Sequence, residues 1–234
     1  MDIDIEKNVI SVRARIAAAA REAGRDPADI KLVAACKMND AERVRRSIRA
    51  GVDACGENRI QEFLEKRAQG AYAGAPVHFI GHLQKNKLNA AVGAFDLIES
   101  VDSEALLHLI HRRAAALGIT QSVLIELNIA GEASKTGLSP AELPALLERA
   151  AALPALRVCG LMAIPPVSVE VGENRRYFAK MYELFIDIQN KKYDNVSMTA
   201  LSMGMSGDFE DAVREGATMV RVGTAIFGAR HTFS

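Results

Sequence analysis

The chain has 234 residues, enough for one domain of α/β-barrel size or two small ones, and its 49% hydrophobic content supplies material for a large core. Lys+Arg and Asp+Glu stand at 29 each, a balance that argues against a nucleic-acid footprint or a general membrane-surface role. No stretch approaches the roughly 18 apolar residues of a spanning helix, and the acidic Met1-Asp2-Ile3-Asp4-Ile5-Glu6 lacks the layout of a signal peptide, so the expectation is a soluble, cytoplasmic protein.

In chain order, residues 5–23 come first, with Val9, Val12, Ile16 and Ala20 on one face of an expected helix. Apolar, strand-like runs then recur at residues 30–36, 52–55, 77–80, 97–101, 122–128, 156–162, 200–203 and 218–222. Amphipathic segments separate them: Val44 and Ile48 recur at helical spacing, as do Leu106, Ile110, Ala114 and Leu117. Gly51, Gly118 and Gly216 each stand where a helix should end in a left-handed cap before the next strand. Repeated strand–helix units imply parallel strands with right-handed crossovers. About eight of them in about 250 residues point to a closed (β/α)8 barrel, a TIM barrel, with one extra N-terminal helix. An open doubly wound sheet is the competing arrangement. No linker or composition shift divides the chain, so residues 1–234 are expected to form a single domain. Cys36, Cys55 and Cys159 are odd in number and widely spaced, and read as buried free thiols in a reducing compartment.

Sites of such barrels lie at the C-terminal ends of the strands. Lys37 follows the apolar run Leu32-Val33-Ala34-Ala35-Cys36. Two readings stay open: a strand-end lysine that snorkels to water, or an amine whose pKa is lowered by burial so that it can attack an aldehyde. Asn58, after the second run, could cap a helix or touch a ligand. His78 falls within the third run and His82 just after it; satisfied structural histidines are favoured over metal ligands, since no carboxylate or thiol completes a set. His108 and His111 read as surface residues.

In Leu201-Ser202-Met203-Gly204-Met205-Ser206-Gly207-Asp208, Ser206 or Asp208 could be an N-cap, or Ser206 could offer its hydroxyl to a phosphate. The last run, Thr218-Met219-Val220-Arg221-Val222-Gly223-Thr224, carries the sharpest signal. Arg221 interrupts it and needs a partner at the barrel mouth. Gly223 lets the backbone approach a ligand, and Thr224 adds a hydroxyl and an N–H. A phosphate cradle is preferred here to an ordinary turn with a salt-bridged arginine.

With these pieces in hand, the chain resembles the pyridoxal phosphate homeostasis proteins, also called proline synthetase co-transcribed homologues. The resemblance covers nearly the whole chain. It rests on Gly56-Glu57-Asn58, Gly81-His82-Leu83-Gln84-Lys85-Asn86-Lys87, Ser134-Lys135-Thr136-Gly137, Gly160-Leu161-Met162-Ala163-Ile164-Pro165, Leu201-Ser202-Met203-Gly204-Met205-Ser206 and the segment from Val220 to Arg230, in that order.

It implies a barrel like the N-terminal domain of alanine racemase, with pyridoxal 5′-phosphate held as a Schiff base on Lys37. Arg221 would face the pyridine nitrogen. Ser206, Gly223 and Thr224, with Ser202 nearby, would contact the phosphate, and Asn58 would stand close to the ring. The family is thought to bind, buffer and deliver the cofactor to pyridoxal-phosphate-dependent apoenzymes and to influence amino-acid and keto-acid balance. Cys36, Met38, Arg59 and Val77 replace residues more usual in it; none of these removes an expected cofactor contact.

An arginine donates to the ring nitrogen and keeps it unprotonated, which makes the ring a weaker electron sink than one paired with a carboxylate. Racemisation also needs acid–base groups on both faces. After Arg230 only His231-Thr232-Phe233-Ser234 remain, so the expectation is an open mouth, a monomer, and a binder without a dedicated reaction. An amino-acid racemase or lyase using the same Lys37 is the first rival. A cofactor-free phosphosugar barrel is the second.

Overall fold

The computed structural model describes residues 3–132, 135–167, 170 and 172–229. Expectations that fall on Met1, Asp2, Ser134 and residues 230–234 lie outside them. The chain opens with α1 (Ile5–Glu22), whose Asp4 cap accepts from the Lys7 N–H at 3.0 Å and whose Ile5, Val9, Val12, Ile16, Ala19 and Ala20 are buried. Strands and helices then alternate: β1 (Lys31–Ala35), α2 (Ala41–Arg49), β2 (Ala54–Glu57), α3 (Ile60–Ala68), β3 (Val77–Phe79), α4 (Leu88–Ala91), β4 (Leu97–Val101), α5 (Glu104–Ala116) and β5 (Gln121–Leu127). They continue with α6 (Leu143–Ala151), β6 (Leu156–Ala163), α7 (Arg175–Gln189), β7 (Val196–Ser202), α8 (Phe209–Arg214), β8 (Met219–Val222) and α9 (Thr224–Phe227).

Every strand pairs in parallel with its neighbours, and β8 closes on β1 through Lys31↔Met219 and Val33↔Arg221. The sheet is therefore a closed barrel, and the open doubly wound arrangement is excluded. Gly51, Gly118 and Gly216 all have positive φ, as helix ends before a strand require. The second strand forms at Ala54–Glu57, two residues later than the apolar run at 52–55. The seventh begins at Val196, earlier than expected, because Ser197 and Thr199 are exposed and hide the alternation. Cys36 and Cys55 are buried free thiols, whereas Cys159 is only half-buried.

The barrel interior is stratified by the two-residue period of the strands. Val33, Ala54, Leu97, Leu124, Met162, Ala200 and Met219, from seven strands, form an apolar cluster separate from the main core between sheet and helices. Two residues further along six of the same strands stand Ala35, Gly56, Glu99, Glu126, Ser202 and Arg221. A polar layer thus lies on an apolar plug. Two positions on again come Lys37, Asn58, Gly204 and Gly223, at the C-terminal rim.

Candidate active site at the barrel mouth

Lys37 is half-buried and lines a cleft of about 460 Å³ with Ala35, Asn39, Arg43, Gly223 and Thr224. Its peptide is held from α3. The Cys36 carbonyl accepts from Lys66 Nζ at 2.7 Å, and the Met38 N–H donates to Glu62 Oε2 at 2.8 Å. Met38 has φ 61°, a left-handed conformation that a non-glycine residue keeps only when its surroundings impose it. The Lys37 carbonyl in turn accepts from Asn39 Nδ2 at 3.0 Å. Lys66 is itself buried and paired with Glu57 Oε1 at 2.7 Å, which also accepts from Tyr72 Oη at 2.8 Å. Burial pushes the Glu57 carboxyl above its ordinary range, against the pull of Lys66.

Arg221 has the partners its place in an apolar strand demands. Nη1 donates to Ser202 Oγ at 2.6 Å, Nη2 donates to the Ala163 carbonyl at 2.9 Å, and Glu99 Oε2 lies 3.8 Å from Nη1. Glu99 is wholly buried, accepting from Ser202 Oγ at 2.6 Å and contacting His78 Nδ1 at 2.8 Å. Burial pushes the Glu99 carboxyl up, but the hydrogen bond and charge of His78, with Arg221 and Ser202, bring it below the ordinary carboxylate range. Burial lowers the Arg221 pKa, opposed by the charges of Glu99, Glu126 and Asp208. Glu126 accepts from Thr136 Oγ1 at 2.9 Å, and burial holds its carboxyl above the ordinary range.

Ser206 Oγ accepts from the N–H groups of Gly223 at 3.1 Å and Ala225 at 3.3 Å. The hydroxyl is thus tied to the backbone on either side of Thr224, at the rim of the cleft that Lys37 lines. Asp208 is the N-cap of α8, but its carboxylate accepts from Met205 N–H at 2.7 Å and Asn174 Nδ2 at 2.8 Å instead of from the first turn of the helix. Asn58 Oδ1 is buried without a hydrogen-bond partner, an acceptor that awaits a donor. Its backbone is seated against Gly81, where a Cβ would overlap the Asn58 carbonyl.

Lys37, Gly223 and Thr224 share one cleft, and Ser206 is bonded to Gly223. Ser202 stands apart from that cradle: its hydroxyl is committed to Arg221 and Glu99 below, not to Ser206, Gly223 or Thr224. Its side chain belongs to the polar layer, two residues short of the rim at Gly204. His78 is a satisfied core histidine, while His82 sits half-exposed, its Nδ1 3.5 Å from Asp102 Oδ2. Among the described residues no group of three or more His, Cys, Asp or Glu is placed to hold a metal. Glu99 is the site residue that sequence reasoning missed. Its signal was present, since it interrupts Leu97-Ile98-Glu99-Ser100-Val101 as Arg221 interrupts the last strand.

The model of the family described as "alanine racemase, N-terminal domain" matches residues 8–231. A "pyridoxal phosphate homeostasis protein" of Pseudomonas aeruginosa is 42% identical over 97% of this chain and 96% of its own length. Another of the same name from Aquifex aeolicus is 44% identical, covering 92% of this chain and 94% of its own. The structure of PipY from Synechococcus elongatus with pyridoxal phosphate bound superposes with a TM-score of 0.83 at 34% identity, over 96% of this chain and all of that one.

Proposed function

Because the chain belongs to the pyridoxal phosphate homeostasis proteins, within the alanine racemase N-terminal domain family, we propose that it binds pyridoxal 5′-phosphate on Lys37 and serves to hold and release that cofactor. The observation that carries the reading is one cleft lined by Lys37, Gly223 and Thr224, with Arg221 anchored two residues before Gly223. The donor set fits the group. Lys37 supplies the amine for a Schiff base, while the Gly223 and Ala225 amides with the Ser206 and Thr224 hydroxyls take the phosphate. Arg221 donates to the ring nitrogen, and the orphaned Asn58 Oδ1 accepts from a protonated ring substituent. Ser202 supports Arg221 from beneath and acts on the cofactor only through it.

When bound, the cofactor supplies an electron sink for amino-acid chemistry. A guanidinium at the ring nitrogen keeps that sink weak, because arginine does not release its proton. This favours binding, buffering and delivery over turnover, by a cytoplasmic monomer whose 234 residues form one barrel domain and whose partners are pyridoxal-phosphate-dependent apoenzymes.

The test is an absorbance titration of wild type and Lys37→Ala with pyridoxal phosphate, followed by borohydride trapping and peptide mapping. A band that is lost in the variant, with the label on Lys37, is expected. No band in wild type, or a label elsewhere, would overturn the assignment. Sustained amino-acid turnover far above that of free cofactor would replace the binder by the racemase or lyase reading.

A further inference from the structure

Glu99 has no exposure and stands on β4, half-way round the barrel from β8. Against the push of burial, His78, Arg221 and Ser202 hold its carboxyl below the ordinary carboxylate range. An ionised carboxylate only accepts hydrogen bonds. Its two neighbours must therefore donate: Ser202 Oγ–H to Oε2 at 2.6 Å, and His78 Nδ1–H to Oε1 at 2.8 Å. With its one proton so committed, Ser202 can only accept from Arg221 Nη1, 2.6 Å away. The chain runs in one direction, from guanidinium through hydroxyl to carboxylate. A neutral Glu99 that donated to Ser202 would leave the hydroxyl proton without its acceptor in this chain. Glu126, the other buried carboxylate of this layer, is bonded to Thr136 and stands outside the chain.

We propose that Glu99 is a positioning residue for Arg221: through Ser202 it orients the guanidinium and holds it as a donor toward the ring nitrogen of the bound cofactor. This rests on the pyridoxal phosphate reading above. Two of the arginine's N–H groups are tied to Ser202 and to the Ala163 carbonyl, so the plane of the group is fixed and its remaining donors have a defined direction. Ser202 then matters to the cofactor as a relay.

The experiment compares the affinity of pyridoxal phosphate with that of deazapyridoxal phosphate, in which C–H replaces the ring nitrogen. It is run on wild type, Glu99→Gln and Ser202→Ala, with circular dichroism and Tm recorded for each. Wild type should favour the natural cofactor about tenfold or more, as a charge-assisted hydrogen bond implies. Both variants should bring the ratio to within about threefold. Loss of fold stability alone would move both affinities together and leave the ratio intact. Folded variants that keep the full ratio would overturn the role of Glu99 and leave the cofactor reading standing, as would a wild type that binds both compounds equally. A wild type that binds neither would overturn the cofactor reading itself. If Glu99→Gln does not fold, Ser202→Ala decides, since it removes one oxygen and no charge.

Discussion

Lys66 Nζ stands 2.7 Å from the carbonyl oxygen of Cys36, the residue immediately before Lys37. The rim lysine is thus located by a second, buried lysine on α3, whose Nζ also lies 2.7 Å from Glu57 Oε1. Lys66→Met leaves Glu57 buried without its cation, which costs about 3–5 kcal/mol, or roughly 10 °C in Tm. Adding Glu57→Gln should restore most of the Tm but not the brace. Borohydride-trapped cofactor on Lys37 at sub-saturating concentration should then stay below wild type in the double variant. A wild-type trapped fraction would show that the brace does not locate Lys37.

Ser206→Ala removes the oxygen shared by the Gly223 and Ala225 amides. Affinity for pyridoxal phosphate should fall about tenfold, the scale of one hydrogen bond to a charged group, while affinity for pyridoxal, which lacks the phosphate, stays unchanged. Equal losses for both compounds would place Ser206 in the fold and not in the cradle.

Two buried carboxylates should give opposite pH behaviour. The Glu99 pKa is lower folded than unfolded, so the unfolded chain binds the extra proton. The stability Glu99 contributes is complete above the ordinary carboxylate pKa of about 4.3 and is lost as pH falls through the folded value. The Tm gap between wild type and Glu99→Gln should therefore be widest at neutral pH and close below about pH 4. The Glu126 pKa is higher folded than unfolded, so its ionisation opposes folding as pH rises. Glu126→Gln, which still accepts from Thr136, should be at least as stable as wild type at neutral pH, with no advantage below about pH 4. Thermal melts across this range check both signs.

Gly81→Ala would place a methyl on the Asn58 carbonyl. Overpacking of this kind costs about 1–3 kcal/mol, so the urea midpoint should fall. Because the strain lands on the loop that carries Asn58, cofactor affinity should fall with it, whereas Gly207→Ala, which meets nothing within 4 Å, should change neither.

The barrel was legible because its signals are local: apolar runs, helical spacing and glycine caps such as Gly51 and Gly118 repeat often enough to count. Lys37 and Arg221 were legible for another reason, since each is a charge that an apolar strand does not explain. Glu99 bears the same mark, yet its meaning depends on Ser202 and Arg221, respectively 103 residues away and across the barrel, and no spacing along the chain reveals such a meeting. Ser202 was expected near the phosphate contacts, beside Ser206, only through the family resemblance. The strand period puts the two at different depths, and that separation shows only once the register of β7 is known.

The apolar plug of Val33, Ala54, Leu97, Leu124, Met162, Ala200 and Met219 gives the polar layer a hydrocarbon floor. Among the described residues there is thus no strong side-chain acceptor or donor beneath Glu99 and Arg221 to compete for their hydrogen bonds. The donors of Arg221 that Ser202 and Ala163 leave over are met by polar groups only toward the rim, where Lys37, Asn58, Gly204 and Gly223 stand. The floor therefore acts as a direction-setter: it is the lack of chemistry below that points the layer's chemistry upward.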